Sequence, residues 1–145
     1  MDGRQMSLTV RIAGFGFSSS AQCSSFHSLF TRACQKEDVS MIAVLKDKAA
    51  HDGFSAFCDD VGLDVLRVEP EKLTETDTPS RSEKSLTARG VGSVSEALAL
   101  YVASDLSTGM FHEMSGAEVV LEHHRMISDD RLASMAVARL SVIRS

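Results

Sequence analysis

The stretch 39-VSMIAVL-45 decides the fold. Six of its seven residues are apolar, and the last five run without alternation and include β-branched side chains. A continuous short run of this kind is the pattern of a strand buried on both faces, which requires elements packed above and below a sheet. Upstream, 7-SLTVRIA-13 reads as a second strand, rich in β-formers and ending at a turn, 14-GFGFSSSA-21. Between the two strands, Cys23, Phe26, Leu29, Phe30, Ala33 and Cys34 recur at helical spacing, with serines as cap candidates. Downstream, 51-HDGFSAFCDDVG-62 places Phe54, Phe57, Cys58 and Val61 on one helical stripe and stops at Gly62. The segment 64-DVLRV-68 alternates as a strand, and 69-EPEKLTE-75 reads as one helical turn opened by Pro70.

The polar stretch 74-TETDTPSRSEKSLTARG-90 carries no periodicity and reads as a long loop. It leads into 90-GVGSVSEALAL-100, in which Ser93 and Glu96 form an S-x-x-E capping box and predict a helix starting near Ser93. Residues 104–117, with two glycines, read as a second connection. A hairpin follows: 118-EVVLEH-123, a bend around 127-ISDDR-131, and 132-LASMAVARLSVI-143, with a helix over 132–141 as the competing assignment. The order predicts one α/β domain over residues 1–145. It has three layers (α/β/α), a mixed, mostly parallel sheet and a C-terminal antiparallel hairpin.

Composition narrows the function classes. A chain of 145 residues with 43% hydrophobic and 24% charged residues suits a single globular domain. A net charge of −5 argues against a nucleic-acid partner. No apolar run approaches the roughly 18 residues of a membrane span, and the N-terminus lacks the pattern of a signal peptide. The expectation is a cytoplasmic protein without a membrane partner. Three cysteines without a C-x-x-C pair point to structural thiols rather than a disulfide framework or zinc site. His123 and His124 are adjacent, so a strand would point them to opposite faces. The segment 112-HEMSG-116 has glycine where a zinc-protease signature needs its second histidine. The expectation is therefore no metal and no cofactor.

Two segments fall where α/β sheets bind ligands, outside the carboxyl ends of the strands. In the first, Gly14 and Gly16 precede Ser18, Ser19 and Ser20, whose hydroxyls and backbone N–H groups suit a carboxylate or phosphate. A tight structural turn is the alternative there. The second runs from Thr78 and Ser80 to Arg89, Gly90, Gly92 and Ser93, with Arg81 and Lys84 making it locally basic in an acidic chain. A solvated basic loop is its alternative. Glu96 is placed as a cap, or as an acid or base beside a ligand. No catalytic constellation can be derived from these residues.

The chain resembles the cobalamin-biosynthesis family formed by the C-terminal domain of CbiG and its stand-alone form, CobE. The elements that carry the likeness are 14-GFGFSSS-20, 48-KAAHDGF-54, 78-TPS-80, 90-GVGSVSEALAL-100 and 134-SMAVAR-139. The second sits where the family has a lysine followed by an acidic-glycine turn. The resemblance implies a role in building the corrin ring, with a precorrin polycarboxylate as partner and other enzymes of the pathway as neighbours. Two-domain relatives of the anaerobic route open a lactone and release acetaldehyde. The single-domain form belongs to the aerobic route, and its length matches this chain. The lactone-opening, hydrolase-like activity is not carried over, because the other half of the two-domain protein is missing here. The family often has an acidic residue where His51 stands and a lysine near His123–Arg125; both are departures in this sequence.

Overall fold

The computed structural model describes residues 6–34, 39–73, 91–110 and 116–144. The elements run β1 (Met6–Phe17), α1 (Cys23–Cys34), β2 (Met41–Leu45), a single 3-10 turn (Lys46–Lys48), α2 (Asp52–Val61), β3 (Asp64–Val68), α3 (Pro70–Leu73), α4 (Val91–Met110), β4 (Gly116–Ile127) and β5 (Ala133–Arg144). The five strands form one sheet in the order β3-β2-β1-β5-β4. β1 pairs parallel with β2, and β2 with β3, while β5 is antiparallel to both β1 and β4. The sheet is thus mixed, with its parallel half on one side of β1 and the hairpin on the other.

Residues Ile42, Ala43 and Val44 of β2 are all fully buried, as a strand covered on both faces requires. One face carries α1 and α2 over a core of Phe15, Phe17, Phe26, Phe54 and Phe57 with Met135 and Val137. The rings meet mainly edge to face, as in Phe15–Phe26 at 5.8 Å, with Phe17 and Phe54 stacked at 5.1 Å. The other face carries α4 over Ile12, Ala43, Val68, Ala138 and Leu140.

The G-F-G-F segment is strand, not turn: β1 continues to Phe17. Its alternation is the reason. Phe15 and Phe17 fill the α1/α2 face, while Gly14, at even register with Ile12, lies under α4. A Cβ at Gly14 would collide with Ser95 O, and would lie 2.8 Å from Ala99 N and 3.0 Å from Leu98 Cβ. Gly14 therefore lets the backbone of α4 rest on β1.

Three further readings need correction. α4 begins at Val91, two residues before the start that the sequence places near Ser93. α4 also extends to Met110, so residues 104–110 are helix rather than connection. Residues 133–144 form β5, paired along β1 from Ala133 to Arg144, which removes the helical alternative. The hairpin, α2 with its left-handed Gly62 cap (φ 68°), β3 and the Pro70 turn stand as the sequence predicts.

Candidate functional site at the carboxyl edge of the parallel strands

Three turns meet where β1 and β2 end. The first, residues 18–22, is held by Ser18 N donating to Leu132 O at 3.0 Å and Ala21 N donating to Ser18 O at 3.1 Å. Ser25, in the first turn of α1, accepts from Gln22 N at 3.2 Å and donates to Asp130 Oδ2 at 2.6 Å. The second, the bend between β4 and β5, is organised by Asp130. This carboxylate also accepts from Ser128 Oγ at 2.6 Å and Leu132 N at 3.0 Å. Those bonds favour the charged form. The Ser128 hydroxyl, then Ser25 and the Leu132 N–H, hold the Asp130 carboxyl below its ordinary value.

The third turn, residues 46–51, leads from β2 into α2. His51 caps that helix: its Nδ1 accepts from Phe54 N at 3.2 Å. Its Nε2 lies 2.9 Å from Ser19 O. With the Nδ1 lone pair engaged, the neutral ring carries its proton on Nε2 and donates it to Ser19. His51 thus ties the serine turn to α2, and its ring packs edge-on against Phe17 at 5.0 Å. An acidic residue here would cap the same helix without reaching the serine turn.

Lys48 projects over Phe17, its Nζ 5.5 Å from the ring centroid. Lys46, two residues before, pairs with Glu69 at 3.4 Å. Among the described residues no carboxylate pairs with Lys48. Ser18 Oγ is buried and has no hydrogen-bond partner among the described residues. Ser19 and Ser20 are exposed.

α4 completes the edge. Its Ser95 and Ala99 lie against Gly14, three residues short of the end of β1, and the chain enters β4 from the opposite edge, where Gly116 pairs with Ile143. The first turn of α4, with Gly92 and Ser93, therefore stands beside the carboxyl end of β1. The N–H groups of that turn point toward the edge, where a helix terminus favours negative charge. Glu96 is fully buried and turns toward β4. Its carboxylate accepts from Arg125 N at 3.1 Å and lies 3.7 Å from His124 Nδ1. Glu96 thus reaches across to the irregular part of β4, where the register shifts between Leu121 and Met126.

The structure brings Ser18, Ser19 and Ser20 to one edge with the start of α4. Gly14 is sealed under the helix. Gly16 is in β1, and its carbonyl accepts from Ser134 Oγ at 3.5 Å. Thr78, Ser80, Arg81, Lys84, Arg89 and Gly90 lie outside the described residues. Lys48 is the residue a ligand reading of the sequence passes over. Its signal is a lysine three residues after a buried strand and three residues before a helix cap. A separate cleft of about 260 Å³ lies at the far side of the sheet, between β3 and α4, lined by Leu66, Val68, Lys72, Tyr101 and Asp105.

The comparisons with known proteins fit this architecture. A family model described as cobalamin synthesis G C-terminus matches residues 11–139, nearly nine-tenths of the chain. The chain belongs to that family. Its fold is similar to CobE, a protein from the cobalamin (vitamin B12) biosynthetic pathway, with TM-score 0.67 and 23% identity over 90% of this chain and 93% of that one. It is also similar to cobalamin biosynthesis protein chiG from Agrobacterium tumefaciens str. C58, with TM-score 0.57 and 22% identity over 89% and 97% of the two chains. A third similar structure is described as a cobalamin biosynthesis protein G homolog from Sulfolobus solfataricus. Its TM-score is 0.61 and its identity 15%, over 90% of this chain and 36% of that one. A sequence comparison with curated proteins gives no significant match. The family places the chain in cobalamin biosynthesis. No helix among the described residues is long and apolar enough to cross a membrane.

Proposed function

We infer that the chain binds a precorrin polycarboxylate at the carboxyl edge of its parallel strands, as a step of the aerobic route to cobalamin. One observation carries the reading: Lys48, without a carboxylate partner among the described residues, stands at the same edge as the serine turn 18–20 and the start of α4. Precorrin intermediates carry acetate and propionate side chains around a flat macrocycle. Such a ligand is recognised by cations, hydroxyls and backbone N–H groups spread around an apolar platform, each charge-assisted contact contributing about 1.5–3 kcal/mol. The unmet Ser18 hydroxyl adds a donor at that edge. The basic residues Arg81, Lys84 and Arg89 of the preceding loop extend the same chemistry in the sequence, with Thr78, Ser80 and Gly90 beside them. The aerobic assignment rests on the likeness to single-domain CobE, which this chain covers almost end to end.

The test is co-elution. The purified protein is mixed with a pool of carboxylated precorrin intermediates and gel-filtered, and the pigment travelling with it is identified by visible spectrum and mass. Bound pigment of unchanged mass makes the chain a carrier of an unstable intermediate, and a changed mass makes it an enzyme and names the bond altered. Absence of bound pigment overturns the reading and leaves a partner of another pathway enzyme, such as a methyltransferase, in its place. Stabilisation by a nucleotide but by no corrinoid would assign the edge to nucleotides instead.

A further inference from the structure

Next to the residues of that edge, three donor atoms of different chemistry converge on the surface between α1 and α2. Cys23 and His27 are four residues apart on α1 and so share one helical face. Asp60, in the last turn of α2, meets them from the neighbouring helix. His27 Nε2 lies 2.9 Å from Asp60 Oδ2, and Cys23 Sγ lies 3.9 Å from the same oxygen. All three ligand atoms fall within 4.8 Å of one another.

We propose that Cys23, His27 and Asp60 bind a divalent cation of the zinc class through three protein ligands, leaving one position to water. The spacing supports it. Bond lengths of about 2.3 Å to sulfur and about 2.0–2.1 Å to nitrogen and oxygen place tetrahedral ligand atoms about 3.3–3.6 Å apart. The two separations to Asp60 Oδ2, 2.9 and 3.9 Å, straddle those values, and the Cys23–His27 separation lies within 4.8 Å, so small rotations of partly exposed side chains bring the three atoms to coordination distance. The His27 and Asp60 side chains are 40% and 60% exposed, which leaves an entry path from solvent. The imidazole is nonetheless oriented, because its ring packs edge-on against the buried Phe57 at 5.0 Å and 82°. A thiolate, an imidazole and a single carboxylate suit zinc, whereas magnesium and calcium require more oxygen ligands.

A Cys–His nucleophile would be the competing use of these side chains, and the geometry is against it. Asp60 Oδ2 faces both the thiol and the imidazole, so the ring is committed to the carboxylate rather than set to take the thiol proton. Burial, and then the Asp60 charge and hydrogen bond, push the Cys23 thiol up, the opposite of an activated nucleophile. A cation reverses that environment by replacing the proton and neutralising the carboxylate. Because α2 packs at Gly53 so closely on the backbone of residues 21–23 that an added Cβ would lie 3.1 Å from Cys23 N, an ion here would clamp α2 to the exit of the serine turn.

The test uses the full, untagged chain stripped with a chelator and titrated with Zn2+ by calorimetry. Saturable binding of one equivalent, unaffected by millimolar Mg2+, is expected. Cys23→Ser and Asp60→Asn should each weaken it at least tenfold while keeping the far-UV spectrum and melting temperature. Both substitutions are nearly isosteric, so loss of binding in a folded variant is attributable to the ligand. In the parent chain, Zn2+ should slow alkylation of Cys23, mapped by mass spectrometry, and leave that of Cys58 unchanged. No binding, or binding of equal affinity in the Cys23→Ser/Asp60→Asn double variant, would overturn the site.

Discussion

Replacing Gly14 by alanine tests the seating of α4 more severely than any truncation of the core. The added methyl would meet Ser95 O, Ala99 N at 2.8 Å and Leu98 Cβ at 3.0 Å. Two of these three atoms belong to helix backbone and cannot rotate away, so relief requires α4 to lift from β1 along its whole contact. Overpacking of this kind costs about 1–3 kcal/mol, and backbone neighbours put Gly14→Ala at the upper end, about 3 kcal/mol. Against it, alanine restricts the unfolded chain and returns about 0.4–1 kcal/mol. The expected net loss is about 2–3 kcal/mol, which for a chain of this size lowers Tm by roughly 5–10 °C. Urea unfolding followed by circular dichroism should show a lower midpoint at an unchanged m-value. A variant as stable as the parent would mean that α4 does not rest on β1 at Gly14, and the position assigned to its first turn at the candidate site would fall with it.

Three other outcomes follow from the same edge. Lys48→Ala should weaken precorrin binding about tenfold or more, the loss of one charge-assisted contact of about 1.5–3 kcal/mol, with stability unchanged; absorbance titration reads it. His51→Ala should cost about 1 kcal/mol through the lost α2 cap, whereas His51→Asp should keep the cap and lose only the tie to Ser19. Hydrogen exchange at Ala21 and the serine turn should therefore rise in both variants, while stability falls mainly in the first. Asp130 is held below its ordinary value by the Ser128, Ser25 and Leu132 bonds. Its contribution is present above the unfolded carboxyl value of about 3.9 and is lost as pH falls through the lower folded value. The urea midpoint of Asp130→Asn should accordingly fall less between pH 5 and pH 2 than that of the parent; coincident acid profiles would contradict this.

Much of the fold was legible because the strands and helices differ in period. The unbroken 41–45 run and the helical stripe of Phe54 and Phe57 each admit one burial pattern. The errors came from glycine and serine. G-F-G-F reads as a turn because glycine frees the backbone, yet period-2 alternation with phenylalanine is the stronger cue. The spacing of Ser93 and Glu96 places the helix start near Ser93, whereas α4 starts two residues earlier, and Glu96 also accepts from the Arg125 N–H of β4, a contact no local pattern announces. The candidate site was half legible. Its serine turn follows from strand-to-helix position, whereas Lys48 joins it only through the parallel pairing of β1 and β2. The Cys23–His27–Asp60 cluster was out of reach, since Asp60 meets α1 only after the helices pack.

The central claim is where the pigment sits. An amide ¹H–¹⁵N correlation map recorded with and without a carboxylated precorrin gives the most direct answer. The largest shifts are expected at residues 18–22, 46–51 and 91–95, with the β3–α4 cleft around Leu66 and Tyr101 unmoved. Shifts centred on that cleft, or none at saturating pigment, would contradict it.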